Sequence, residues 1–163
     1  MAKDNSFDIV SKVEMQEVDN AFHQAKKEIE TRFDFRGTKC SLEKSGNDIT
    51  LIADDEIKQK SVVDVLEGKM VKRKVPLKNL SYGKLEQASG GAVRQVITIK
   101  EGIETDKAKE IVKWIKANSK KIQASIQGDQ VRVSSKKIDD LQALMADLKG
   151  HDFDIDLQFI NYR

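Results

Sequence analysis

KSGNDITLIA (residues 44–53) and IQGDQVRVSS (residues 126–135) are two versions of one hairpin. In each, a short polar turn containing glycine separates two runs in which apolar and polar residues alternate, the pattern of paired strands with one buried face. Laid on one another, Gly46 falls on Gly128, Ile49 on Val131 and Leu51 on Val133, a constant offset of 82 residues. The chain is therefore read as a duplication, and the elements around each hairpin can be compared in order.

Upstream of the first hairpin, residues 7–13 (FDIVSKV) read as a strand. Met15, Val18, Phe22, Ala25, Ile29 and Phe33 then recur at helical spacing with charged residues between them. Downstream, Asp54, Asp55 and Glu56 open a helix where negative charge meets the amino-terminal dipole. Val62, Val63, Leu66 and Met70 give this helix its apolar face. Pro76 ends the stretch, and 80–87 (LSYGKLEQ) reads as a strand before the hinge Ser89-Gly90-Gly91. The second half repeats the plan: strand 93–100, helix 104–119, strands 121–127 and 130–134, a helix carrying Ile138, Leu141, Leu144, Met145 and Leu148, and a closing strand 155–161. Each half is strand–helix–strand–strand–helix–strand, so the fold class is α+β with two ferredoxin-like (split βαβ) domains and antiparallel sheets. The domains are placed at 1–88 and 92–163, with exchange of terminal strands between the two sheets left open. Two helices on one face of each sheet leave the other face to solvent or a partner.

Composition narrows the function classes. The 163 residues hold 29 Lys and Arg against 27 Asp and Glu, a net charge of only +2, so local charge matters more than the total. One cysteine provides no internal disulfide, no run approaches the length of a membrane span, and the amino terminus lacks an apolar signal core; together these predict the reducing cytoplasm. No phosphate-loop or dinucleotide glycine motif occurs, and His23, His151 and Cys40 are too scattered for metal-ligand spacing. Asp54-Asp55 and Asp139-Asp140 read as helix caps, and Cys40 as small buried filler. The expectation is a protein without a catalytic step, metal or cofactor.

Six stretches resemble the YajQ family of nucleotide-binding proteins: residues 6–11 (SFDIVS), 15–18 (MQEV), 33–37 (FDFRG), 102–104 (GIE), 121–142 and the ending 157–163 (LQFINYR). The resemblance implies two ferredoxin-like domains, a cytoplasmic location and binding of nucleotides and RNA, tRNA included. It also implies that some relatives answer to cyclic di-GMP. Two positions depart from the family pattern: Ser135 stands where relatives often carry glycine, and Ile138 where they often carry arginine.

The residues themselves suggest where such ligands would sit. RNA-recognition modules with this strand order stack bases on rings of the first and third strands. Here the third strands carry no ring, and Phe7 on the first strand is in phase with core Ile9. What the second sheet offers instead is a polar open face, expected to carry Arg94, Thr98, Lys100, Lys121, Gln123, Ser125, Gln127, Gln130, Arg132 and Gln158. Glutamines pair with base edges and arginines with phosphates. Residues 69–84 add Lys69, Lys72, Arg73, Lys74, Lys78 and Lys84 without an acidic residue, against eight acidic and five basic residues in 1–35. Such a segment suits phosphate neutralisation or, equally, the cationic end of a helix. Lys109, Lys113, Lys116 and Lys120 form a stripe near Asp106 and Glu110 and read as a salt-bridged solvent face. Arg36 follows a helix end, where it can cap carbonyls or meet a ligand.

The predicted nucleotide and RNA contacts are thus Arg36, Lys72, Arg73, Lys74, Lys78, Lys84, Arg94, Lys100, Gln123, Gln130 and Arg132. A cleft between the halves is a further candidate for a small nucleotide. The expected partners are ATP, GTP or cyclic di-GMP and RNA, with no membrane. The rival reading is a regulatory protein in which cyclic di-GMP sets the engagement of a protein or DNA partner.

Overall fold

A computed structural model of the chain describes residues 4–163. Its elements are β1 (Asn5–Val10), α1 (Met15–Thr31), β2 (Ser41–Ser45), β3 (Asp48–Ala53), α2 (Glu56–Lys72), β4 (Leu80–Tyr82), β5 (Glu86–Gln87), β6 (Val93–Ile99), α3 (Thr105–Asn118), β7 (Gln123–Gln127), β8 (Gln130–Ser135), α4 (Ile138–Lys149) and β9 (Gln158–Ile160). The fold is α+β with antiparallel sheets, as the repeated order implied.

The chain is not divided at residues 88 and 92. One compact unit is the continuous stretch Val13–Lys100; the other joins Glu101–Arg163 to the described residues up to Lys12. The reason is an exchange of first strands. β1 pairs antiparallel with β8 and β9, giving the order β7-β8-β1-β9, while β6 pairs with β3 and β4, giving β2-β3-β6-β4. Both orders are those of a ferredoxin-like sheet, but each sheet receives its inner first strand from the other half of the sequence.

In the continuous unit, Leu42, Ile49, Leu51, Val93, Ile97 and Ile99 point to one face and are buried against Val18, Phe22, Ala25 and Ile29 of α1 and Val62, Leu66 and Met70 of α2. In the composite unit, Phe7, Ile9, Val131 and Val133 pack on Ile111 and Ile115 of α3 and Leu141, Leu144 and Leu148 of α4. Full burial of side chains of this size contributes about 1.5–3 kcal/mol each. The alternation therefore fixes which face of each sheet is covered and which stays open.

Three local expectations change. Residues 80–87 do not form one strand: Gly83 interrupts them, its N–H donating to the Val96 carbonyl at 2.8 Å. A Cβ on Gly83 would meet that same oxygen at 2.9 Å, so only glycine permits the approach. β5 then adds a fifth short strand beside β6. Phe33 does not continue the apolar face of α1. The helix ends at Thr31, Phe35 enters the core, and Phe33 stands in solvent. Ile126, taken as inward, is partly exposed because β7 lies at the sheet edge.

Among the described residues no helix is long and apolar enough to cross a membrane. Asp55 caps α2 by accepting the Lys58 N–H at 2.8 Å, worth about 1 kcal/mol. Asp54 serves instead as acceptor for the Lys39 N–H at 2.8 Å and the Cys40 thiol at 3.7 Å.

Candidate nucleotide-binding face

The open face of the composite sheet is built by the register of three strands far apart in sequence. Asp8 stands opposite Arg132 and Ile160, Ser6 opposite Ser134, and Ser125 of β7 on the far side of Arg132. Directly opposed residues share a face. Asp8, Arg132 and Ser125 therefore lie in a row, with Gln123 and Ser134 one step along and Gln127 and Gln130 at the other end.

Asp8 is only 3% exposed, yet it carries a charge. Its two carboxylate oxygens accept from the Arg132 guanidinium, Nε at 2.9 Å and Nη2 at 3.5 Å, and Oδ2 also accepts from the Asn161 amide at 2.8 Å. The Arg132 hydrogen bonds outweigh burial, and with Asn161 and the charges of Arg132 and Arg163 they hold the carboxyl below the usual range. The same bonds push Arg132 up.

Asn161 reaches Asp8 through a β-bulge. β9 runs in register with β1 up to Asp8 and Ile160, but Ser6 exchanges backbone hydrogen bonds with Arg163, at 3.1 and 3.0 Å. One extra residue therefore sits on the terminal segment, and Asn161 takes a left-handed conformation there with φ 57°. The bulge turns its amide onto the open face.

Beside Arg132 the face is hollowed, with a cavity of about 610 Å³ bordered by the α3–β7 connection. Lys116, Lys120 and Arg132 bring positive charge to it; Ser119, Gln123, Ser125 and Ser134 bring hydrogen-bonding groups; among the described residues no carboxylate or imidazole lines it. Arg132 is 40% exposed and bound to Asp8 through Nε and Nη2, so it is held in one orientation with other N–H donors left over. The arrangement suits an anion with polar groups attached, within the size range of small-molecule sites.

A second hollow of about 320 Å³ lies in the continuous unit, between α1 and α2. Its charges largely cancel. Glu28 pairs with Arg32 at 3.4 Å and Lys69 at 3.3 Å, and Asp64 lines the same wall as Lys72.

Of the residues singled out from sequence, Gln123 and Arg132 meet in the larger hollow, and Gln130 shares their face. Arg94 and Lys100 do not join them. The strand exchange puts both in the continuous unit, so the expected single polar face is two faces. Arg94 there pairs with Glu86 at 3.2 Å. Also in that unit, Lys72 is exposed on the smaller hollow, and Arg73 ends α2 with its Nε 2.7 Å from Glu17. Lys74 follows in a left-handed conformation, Lys78 lies in a 3-10 turn, and Lys84 lies between β4 and β5. Arg36 is exposed just after the 3-10 turn Phe33–Phe35.

Sequence reasoning did not select Lys116, Lys120, Ser119, Ser134, Asp8 or Asn161. The salt-bridged stripe expected on α3 is not found: among the described residues Lys109, Lys113, Lys116 and Lys120 make no ion pair, and Lys107 pairs with Glu110 instead. A signal was present. Neither Lys116 nor Lys120 has an acidic residue three or four positions away, so helical pairing could not neutralise them. Asp8 and Asn161 gave no such signal, because their meaning depends on which strands pair.

A split-βαβ sheet with an open polar face and a cationic hollow defines an α+β binding protein suited to anionic ligands. Comparison with known proteins makes the class specific. The chain belongs to the family described as "Nucleotide-binding protein YajQ-like", which matches residues 5–163. It is 59% identical over 163 residues to a protein of Desulfitobacterium hafniense named "Nucleotide-binding protein", with all of both chains covered. Proteins of the same name from Heliobacterium modesticaldum and Citrifermentans bemidjiense are 55% identical over 163 residues and 54% over 158. These alignments cover 100% and 97% of this chain, and 99% and 98% of the relatives.

Proposed function

We propose that this chain is a non-catalytic cytoplasmic receptor for purine nucleotides and RNA, tRNA included, with its principal site at the hollow beside Arg132. The observation that carries the reading is the lining: three cations and four polar side chains and, among the described residues, no carboxylate or imidazole. In this reading Arg132, Lys116 and Lys120 hold phosphate oxygens, while Gln123, Ser125 and Ser134 pair with base or sugar. Gln130 extends the polar row for a longer ligand. Lys72, Lys74, Lys78, Lys84, Arg94 and Lys100 act as outer phosphate contacts for RNA. The relatives' name, "Nucleotide-binding protein", supports reading the site as one of binding without turnover.

Calorimetric titration with GTP, ATP and cyclic di-GMP tests the reading. One of them should bind, be displaced by tRNA and be recovered chemically unchanged. Arg132→Ala and Lys116→Gln should each weaken binding at least tenfold. Nucleotide binding untouched by both substitutions would place the site elsewhere, and steady turnover that tracks protein concentration would overturn the non-catalytic assignment.

A further inference from the structure

The sheet strands carry no ring for stacking on their open faces, but the structure exposes one in an unexpected place. Phe33 is 84% exposed, more than any other large apolar side chain among the described residues. Two residues on, Phe35 is buried, with the Arg32 guanidinium 5.3 Å and the Lys58 ammonium 5.8 Å from its ring centre. The turn is therefore anchored by Phe35 and leaves Phe33 in water by construction. It is also tightly hydrogen-bonded. The Phe35 and Arg36 N–H groups donate to Arg32 and Phe33 carbonyls at 3.1 and 3.2 Å, and the Thr38 hydroxyl donates to the Phe35 carbonyl at 2.6 Å.

The surrounding charges are committed, with one exception. Arg32 pairs with Asp34 at 2.7 Å and Glu28 at 3.4 Å; Lys58 donates to the Asp34 carbonyl at 2.9 Å; Lys39 donates to the Gly90 carbonyl at 2.9 Å. Arg36 is exposed, and its guanidinium has no partner among the described residues. A fixed turn thus presents a bare ring and, three residues later, an unpaired guanidinium. A ring offers its face to any nucleobase, and a guanidinium binds phosphate.

We propose that the turn Phe33–Gly37 is a second nucleic-acid contact, in which Phe33 stacks on one unpaired base of single-stranded RNA and Arg36 holds an adjacent phosphate. The proposal rests on the RNA-binding reading above and adds a preference for unpaired strands. A protein partner fits less well. Among the described residues, Ile57, next to Lys58, is the one other strongly exposed apolar residue tied to this corner. A ring and one aliphatic chain fall far short of the roughly 800 Å² per partner of a standard protein interface.

The test is fluorescence anisotropy with a labelled oligoadenylate and a labelled RNA hairpin duplex, each titrated at several salt concentrations. Phe33 is exposed, so Phe33→Ala should melt like the parent. It should bind oligoadenylate roughly five- to a hundredfold more weakly, with its salt slope intact and duplex affinity nearly unchanged. Phe33→Trp should restore binding, and Arg36→Gln should flatten the single-strand slope by about 0.7. Parent-like binding by Phe33→Ala, or an equal loss on duplex, overturns the stacking site and leaves the principal site standing. If the parent binds neither RNA, the stacking site and the RNA reading fall together, while nucleotide titration still reports on the hollow.

Discussion

The two sheets have the same strand order and opposite habits on their open faces. In the composite sheet the open face is a row of Gln, Ser and Arg, organised by one buried carboxylate and bordered by two lysines that make no ion pair among the described residues. In the continuous sheet the matching positions of the first two strands hold Ser41, Glu43, Ser45, Asp48, Thr50 and Ile52. A threonine thus stands in place of Arg132, carboxylates in place of Ser125 and Gln130, and Val96 in place of Asp8, while Arg94 is paired with Glu86. That unit also buries a polar pair: the Gln59 amide of α2 donates to Gln95 of β6 at 2.7 Å, and Gln95 donates to the Gly83 carbonyl at 2.8 Å. The two units share one strand order and differ in chemistry residue by residue, so fold alone does not place a site.

The largest expected effect comes from breaking the buried pair. Arg132→Ala strands Asp8 at the sheet centre. Unpairing a buried carboxylate is destabilising, and here the loss is moderated because Arg132 is partly in water and Asn161 still donates to Asp8. Arg94→Ala, the matching change in the other sheet, should shift stability by no more than about 0.5 kcal/mol. Urea melts of both variants settle this, and equal losses would erase the distinction between the sheets. The pH dependence follows from the lowered Asp8 pKa. A depressed carboxyl contributes stability that is present above its unfolded value and lost as pH falls through its folded value. The parent should therefore lose this contribution only below about pH 4. In Arg132→Ala the carboxylate keeps the Asn161 amide but loses its main partner, so less stability is gained on its ionisation and the gap from the parent should widen as pH rises from about 3 to about 6.

A smaller effect should mark the other unit. Gln95→Leu leaves the Gln59 amide buried without a partner, at about 1–3 kcal/mol, whereas Gln59→Leu with Gln95→Leu removes both groups and should recover much of the loss. Guanidinium melts of the two single variants and the double variant test the coupling. Additive losses would mean that the two amides act independently. Neither single change should alter nucleotide affinity by more than a factor of about two at temperatures where the variant is folded, because ordered surroundings of the hollow lie in the other unit.

Much of the fold was legible because alternation and helical spacing report burial directly. Ile49, Leu51, Val131 and Val133 are all fully buried where the hairpin pattern put them. The strand exchange was not legible. FDIVSKV and VRQVITIK both have one apolar face, so either satisfies either sheet, and periodicity is silent on the choice. That ambiguity passed straight to the site, separating Arg94 and Lys100 from Gln123 and Arg132 and hiding the partnership of Asp8 with Arg132. Phe33 was misplaced for a different reason: helical spacing continues through it, but the chain turns at Arg32 and gives the core position to Phe35.

The smallest expected effect concerns the basic stretch, the strongest charge signal in the sequence. Arg73 is bound to Glu17 and closes α2, so its removal would confound a binding measurement with a helix end. Lys72 and Lys74 are exposed and make no ion pair among the described residues, so they isolate the charge effect. Replacing both with glutamine should leave stability within about 0.5 kcal/mol of the parent. GTP affinity should be unchanged, because the principal site is assigned to the composite unit. For RNA, each lysine that neutralises a phosphate contributes about 0.7 to the log–log salt slope on single strands, so the double variant should flatten that slope by up to about 1.4. Lys116→Gln with Lys120→Gln should weaken GTP and RNA together. Titrations of both ligands with both variants therefore separate a principal site from an outer electrostatic contact. If the Lys72 and Lys74 pair governs GTP affinity and the Lys116 and Lys120 pair does not, the assignment of roles to the two units is reversed.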